Sequence, residues 1–134
     1  MLTDQQSVSL KANMKTTETP KYQNYHIPGV QHISPIDALE TIKGGKALLL
    51  DVREENEYYN EKLDVEDIMF LPISRFMENF MNIPKEKPVI VACASGVRSV
   101  QVVSFLQQKG FENIINLDGG NYAMKREGLP YVRF

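Results

Sequence analysis

The chain has 134 residues and a mass of 15.3 kDa, which is the size of one domain. Hydrophobic side chains make up 43% and charged ones 24%, values that exclude a fibrous, a wholly disordered or a membrane-bundle chain. The 15 basic and 17 acidic residues leave a formal charge of -2, so no global field draws the protein onto nucleic acid or anionic lipid.

Residues 1–29 are polar, with QQS, TTET and Pro20, and read as an extended N-terminal arm ahead of a single domain over 30–134. Their start, MLTDQQSVSL, has neither a basic end nor an apolar run, so no signal peptide is expected. Nowhere do ~18 apolar residues run together, so no membrane span is expected either.

Gln31–Ile33 reads as a short edge strand. Ser34-Pro35-Ile36-Asp37 is a helix start: a capping hydroxyl, a proline suited to the first turn, and a negative charge at the positive end of the helix. Ile36, Leu39 and Ile42 follow at threefold spacing, and Gly44-Gly45 ends the helix. Ala47–Leu50 is apolar throughout, as in a strand covered on both faces. Residues 54–61 suit a helix that packs through Tyr58 and Tyr59. Ile68–Leu71 is a second apolar strand, ended by Pro72. Ser74–Met81 suits a short helix offering Phe76, Met77 and Phe80 to the core.

Pro88–Ala92 is the clearest strand, and Cys93 follows it directly. Ser99–Lys109 is the clearest helix, with Val100, Val102, Val103 and Leu106 on its apolar face and Gly110 closing it. Asn113–Leu117 is a strand, and Asp118-Gly119-Gly120 turns into a helix ending near Gly128. This alternation predicts an α/β fold: a small, open, mostly parallel five-stranded sheet with helices on both faces. There is no internal repeat and no interdomain linker.

The chemistry is concentrated at Cys93-Ala94-Ser95-Gly96-Val97-Arg98-Ser99. Cys93 is the chain's one cysteine, so no intrachain disulfide can form, and with two histidines it makes a poor structural zinc set. It stands at the carboxyl end of a central strand, where open parallel sheets place their sites. A helix start behind it offers unpaired N–H groups and a positive dipole end, both of which favour a thiolate. Gly96 lets amides turn inward, Arg98 adds a cation at the rim, and Ser95 and Ser99 can donate hydroxyl hydrogen bonds, with Ser99 also a candidate helix cap. Ala94 to Ser99 thus form a cradle for an anionic sulfur or an oxyanionic substrate, with Cys93 as the exposed nucleophile. A thiol phosphatase loop would need five residues between cysteine and arginine. Here Arg98 arrives after four, and a shorter ring suits a sulfane sulfur on the cysteine.

With these residues the chain resembles the rhodanese-like family of sulfurtransferases over roughly residues 31–134. The family's six-residue active loop matches Cys93–Arg98. Its aspartate–variable–arginine–glutamate run matches Asp51-Val52-Arg53-Glu54, with Glu57 shortly after. Its aspartate with paired glycines matches Asp118-Gly119-Gly120, and Gly128-Leu129-Pro130 fits its ending. Two places depart. The family's His-Ile-Pro-Gly-Ala run has no counterpart in residues 61–67, because His26-Ile27-Pro28-Gly29-Val30 comes too early, and Asn121-Tyr122 replaces a bulkier apolar start. Ala94 also stands where thiosulfate-preferring members place a basic residue.

The resemblance implies a sulfurtransferase that moves a sulfane sulfur from thiosulfate, a persulfide or a polysulfide to a thiol or cyanide through a Cys93 persulfide. It implies no metal and no organic cofactor. Its partners would be a small sulfur donor and a thiol acceptor, or a protein persulfide; the lack of an export signal and of paired cysteines fits a reducing cytoplasm. In a supporting role, Asp51 would order the active loop, Arg53 would pair with Glu57 or line the pocket mouth, and Asp118 would brace the loop. His26 and His32 lie far from Cys93 in sequence, and nothing in the sequence brings them to it. Two alternatives stay open, a non-catalytic binding module and a single-cysteine redox sensor. An arsenate reductase or phosphatase is disfavoured by the short loop.

Overall fold

The computed structural model describes residues 14–133. Residues 1–13 of the expected arm lie outside the described residues. The strands are β1 (Thr16–Thr17), β2 (His32–Ile33), β3 (Leu48–Asp51), β4 (Glu61–Leu63), β5 (Ile68–Phe70), β6 (Val89–Ala92), β7 (Ile114–Leu117) and β8 (Tyr131–Arg133). The helices are α1 (Pro35–Lys43), α2 (Glu55–Tyr58), α3 (Phe76–Asn79), α4 (Val97–Gln108) and α5 (Gly120–Arg126). Short 3-10 turns, Ile73–Arg75 and Phe80–Asn82, flank α3.

The five expected strands form the parallel part of the main sheet, in the order β2-β7-β6-β3-β5. The arm adds a sixth strand that the sequence did not announce. β1 pairs antiparallel with β2, Thr16 opposite Ile33 and Thr17 opposite His32, so β2 is not the edge. A separate antiparallel ladder joins β4 to β8, with Lys62 opposite Val132. It shortens the helix expected over 54–61 to Glu55–Tyr58.

Alternation along the strands divides the core between the two faces of the sheet. Leu50, Val89, Val91 and Ile114 face α3 and α4, packing with Phe76, Val100, Val103 and Leu106. Leu49, Ile90, Ala92, Ile115 and Leu117 face the other way, against Ala38, Leu39 and Ile42 of α1 and Met124 of α5. In α1 the Ser34 hydroxyl accepts from the Asp37 N–H as the expected cap. The buried stripe is Pro35, Ala38, Leu39 and Ile42, which turns Ile36 to solvent instead of the core. Tyr59 and Met77 are also exposed. Tyr59 lies edge-on against Tyr58 and Phe70 from outside, and the four-residue α3 has room to bury only Phe76.

The fold predicts a sharp contrast between two apolar truncations. Leu106→Ala removes a side chain sealed between α4 and the sheet and should cost about 2–5 kcal/mol in urea unfolding. Met77→Ala, at an exposed position, should stay within about 0.5 kcal/mol of the parent.

Candidate active site

The loop after β6 turns back on itself before α4 begins at Val97, two residues earlier than the sequence suggests. The turn is made by Gly96 at φ +100°, a left-handed conformation that a side chain would strain, and the Gln23 side chain fills the space a Cβ would need. Its consequence is chemical. The Gly96 N–H donates to Cys93 Sγ at 3.1 Å, and the Ser99 N–H, in the first turn of α4, donates to the same atom at 3.3 Å. The Cys93 thiol in turn donates to Ser99 Oγ at 3.3 Å.

The floor of the loop is held by α5. Asn121 N–H and Tyr122 N–H donate to the carbonyls of Cys93 and Ala94, each at 2.9 Å. That approach requires Gly120, since a Cβ there would sit 2.5 Å from the Cys93 carbonyl oxygen, at a φ of +62°. The paired glycines are thus explained by backbone proximity.

Several side chains stand elsewhere than expected. Cys93 is 1% exposed, so the sulfur lies beneath its loop and is not an exposed nucleophile at rest. Ser95 and Val97 turn outward, and Ser95 makes no hydrogen bond to the sulfur. Ser99 does not cap α4, because its hydroxyl donates to Asn116 Oδ1 at 2.6 Å and Gly96 occupies the cap position. Asp51 does not order the active loop. Its carboxylate accepts from the Arg53 backbone and guanidinium at 2.8–3.2 Å, all of it buried. Arg53 therefore pairs with Asp51, and the Glu57 carboxylate is left for Arg98. Asp118 does not brace the loop either, but accepts from the Lys21 and Tyr22 backbone at 2.7 and 2.9 Å and pins the arm.

Arg98 and Glu57 form a two-pronged pair, Nη1 to Oε1 at 2.8 Å and Nη2 to Oε2 at 2.9 Å. Arg98 holds the Glu57 carboxyl below its usual range, partly opposed by burial. Glu57 in return raises Arg98, and the nearby Cys93 adds to that effect. Burial disfavours charge on Arg53, but its bond to Asp51 outweighs this and raises it. Beside the loop lies a cleft of about 130 Å³ lined by residues including Arg53, Glu57, Ala94, Tyr122 and Tyr131. Burial pushes the Tyr131 phenol up.

Three further residues join the site. Glu57 fixes the loop cation, Asn116 lies under Ser99, and Gln23 reaches in from the arm. Asn116 had one signal, as a buried polar residue in the otherwise apolar strand β7. His32 and His26, set aside on sequence distance, enter through Asn116, which contacts His32 Nδ1 at 3.0 Å.

This arrangement places the cysteine of an α/β domain between the end of a central parallel strand and the start of a helix. Residues 34–127 match the Rhodanese-like domain model, and the chain belongs to that family. It is similar to a sulfurtransferase of Allochromatium vinosum, 36% identical over 63% of this chain and 78% of that one. It is also similar to the thiosulfate sulfurtransferase GlpE of Actinobacillus pleuropneumoniae, 34% identical over 73% and 89%. Among solved structures, a rhodanese-related protein from Thermoplasma volcanium superposes with a TM-score of 0.69, 32% identity and 81% and 98% coverage. The polysulfide-sulfur transferase homodimer of Wolinella succinogenes gives a TM-score of 0.66 at 26% identity, over 98% of this chain and 87% of that one.

The Glu57–Arg98 pair has a pH signature. Folding lowers the Glu57 carboxyl from 4.5, so its stabilisation is complete above about pH 4.5 and is lost as pH falls through the lowered value. Glu57→Gln should therefore lose about 1 kcal/mol at pH 7 in urea unfolding, and the gap to the parent should narrow below pH 4.5.

Proposed function

We propose that the protein is a sulfurtransferase that carries sulfane sulfur on Cys93 and favours persulfide donors, which carry less negative charge, over thiosulfate. The observation that carries this reading is the convergence of the Gly96 and Ser99 N–H groups on one sulfur atom, with Arg98 nearby. Such donors favour a thiolate and then its persulfide over the neutral thiol.

In the first half-reaction the Cys93 thiolate attacks the outer sulfur of the donor. A new S–S bond forms to Cys93, the donor's S–S bond breaks, and the donor leaves as its thiolate, or as sulfite from thiosulfate. In the second, an acceptor thiolate attacks the outer sulfur of Cys93 persulfide, and the Cys93 thiolate leaves. The sulfane sulfur changes hands with no external oxidant or reductant. Because Cys93 is buried at rest, donor entry requires the loop or the adjoining arm to yield.

The charge pattern supports the donor preference. Ala94 supplies no cation, Arg98 is engaged by Glu57, and Arg53 is spent on Asp51. A dianion therefore meets little uncompensated positive charge at the cleft.

Incubation with cysteine persulfide should add about 32 Da, one sulfur, to the parent chain, and a thiol should remove it. Cys93→Ser should show neither event. In parallel assays kcat/KM should be higher for persulfide than for thiosulfate. Ala94→Arg should raise the thiosulfate value roughly fivefold, as one added charge contributes about 1 kcal/mol at that range. A thiosulfate advantage in the parent would overturn the preference, and absence of the adduct would overturn the transfer.

A further inference from the structure

A line of buried polar groups runs from the cysteine to the far side of β2. Cys93 Sγ meets Ser99 Oγ at 3.3 Å, Ser99 Oγ meets Asn116 Oδ1 at 2.6 Å, Asn116 Nδ2 meets His32 Nδ1 at 3.0 Å, and His32 Nε2 meets His26 Nδ1 at 2.8 Å. Ser99, Asn116 and His32 are fully buried. Such a line can run in either of two directions, because a hydroxyl, an amide and two imidazoles can all be reversed. One residue removes that freedom. Gln23 Oε1 accepts from the Gly119 backbone N–H at 2.7 Å, and its Nε2 donates to the Gly96 and Tyr25 carbonyls at 3.0 and 2.9 Å. Backbone groups cannot exchange roles, so the orientation of this amide is settled.

Everything else follows from it. Gln23 Oε1 also contacts Asn116 at 3.1 Å, so Asn116 must present its NH2 there and to His32, and its oxygen to Ser99. Ser99 must then donate its only proton to Asn116, leaving its oxygen to accept from the Cys93 thiol. His32 must accept at Nδ1, carry its proton on Nε2, and donate to His26. Burial lowers the pKa of His32, in keeping with a neutral ring, while Asp118 opposes that shift and His26 adds to it. Cys93 is among the groups that raise the pKa of Arg98.

We propose that Gln23 of the arm is a positioning residue for the Cys93 nucleophile, locking this hydrogen-bond line so that the Ser99 hydroxyl proton points away from the sulfur. This rests on Cys93 being the reactive group. The lock leaves the thiolate stabilised by the two backbone N–H groups but not by the hydroxyl, and a less stabilised thiolate is the stronger nucleophile. With Gln23 replaced, the line can reverse. Asn116 then turns its NH2 to Ser99, His32 shifts its proton to Nδ1, and Ser99 donates to the sulfur.

Two measurements test this without sulfur transfer. In the full-length parent, nitrogen-15 shifts of the imidazole rings should show neutral His32 with Nε2 protonated. Nδ1 protonation would overturn the proposal, and this result needs no variant. Thiolate absorbance at 240 nm, with Cys93→Ser as the blank, should show the titration midpoint of Cys93 falling by about one pH unit in Gln23→Leu, the worth of one hydroxyl donor to a charged sulfur. The same substitution in a Ser99→Ala background should move the midpoint little. An unchanged midpoint in Gln23→Leu, or an equal fall with and without the Ser99 hydroxyl, would overturn the proposal. Should the chain transfer sulfur, the pH-independent rate of the first half-reaction in Gln23→Leu should fall two- to threefold, by about the nucleophilicity lost per unit of basicity. Absence of any sulfur transfer would count against the enzyme reading and leave these readouts intact.

Discussion

Two backbone N–H groups point at one sulfur atom, and most of the structure around them exists to keep them there. An N–H group can be aimed only by fixing its peptide plane, so the constraint passes into the backbone. Gly96 makes the left-handed turn, and α4 starts early enough to place the Ser99 N–H in its first turn. From below, the first amides of α5 hold the Cys93 and Ala94 carbonyls, and only a glycine at 120 lets that helix approach so closely. The two glycine-bearing loops, more than twenty residues apart in sequence, are two halves of one contact.

Charge around this centre is matched locally. Asp51 is fully buried and would be costly alone, but it accepts Arg53 through both carboxylate oxygens. Arg53 continues to the Glu61 carbonyl, so the pair fastens the end of β3 to the strand that begins the small ladder. Arg98, the loop cation, is paired with Glu57. A donor that is itself strongly negative must compete with a carboxylate already in place, whereas a persulfide need not. The donor preference proposed above rests on which carboxylate each arginine has taken.

Much of this was legible in the sequence, for physical reasons that can be named. Three of the five parallel strands, β3, β5 and β6, come from short apolar runs bounded by glycine, proline or charge, and Cys93 follows β6 directly. The loop spacing and the paired glycines encode backbone geometry in residue type, and that survives a one-dimensional reading. Partners set by long-range packing were not legible. Asp51, Arg53, Glu57, Arg98 and Asp118 were all identified as polar groups of interest, but each could choose among several opposite charges or amides. Asp51 took the arginine two residues away, Glu57 took one 41 positions on, and Asp118 took the arm. The β4–β8 ladder escaped for a similar reason, since three-residue strands with charged members carry no pattern until they meet. Exposure of Cys93 was misjudged because strand position says where a side chain begins and not what folds over it.

The arm reaches the site from outside the stretch that the family model matches. The family match begins at residue 34, after β1, His26 and Gln23. Those earlier residues nevertheless touch the loop geometry where backbone approach is closest: Gln23 at Gly96 and Gly119, Tyr22 beside Gly119, and the Lys21 and Tyr22 amides on Asp118. An extended segment with a polar composition has little apolar surface with which to stay docked. Here it is held by Met14 buried in the core and Ile27 packed against it, by an added strand and by hydrogen bonds to groups of the body, and breaking those bonds would strand buried donors and acceptors. The polar composition that made the arm read as extended is therefore part of what lets it dock. A body built to present a sulfur atom leaves open how the hydroxyl beside that atom is turned, and the arm closes that choice.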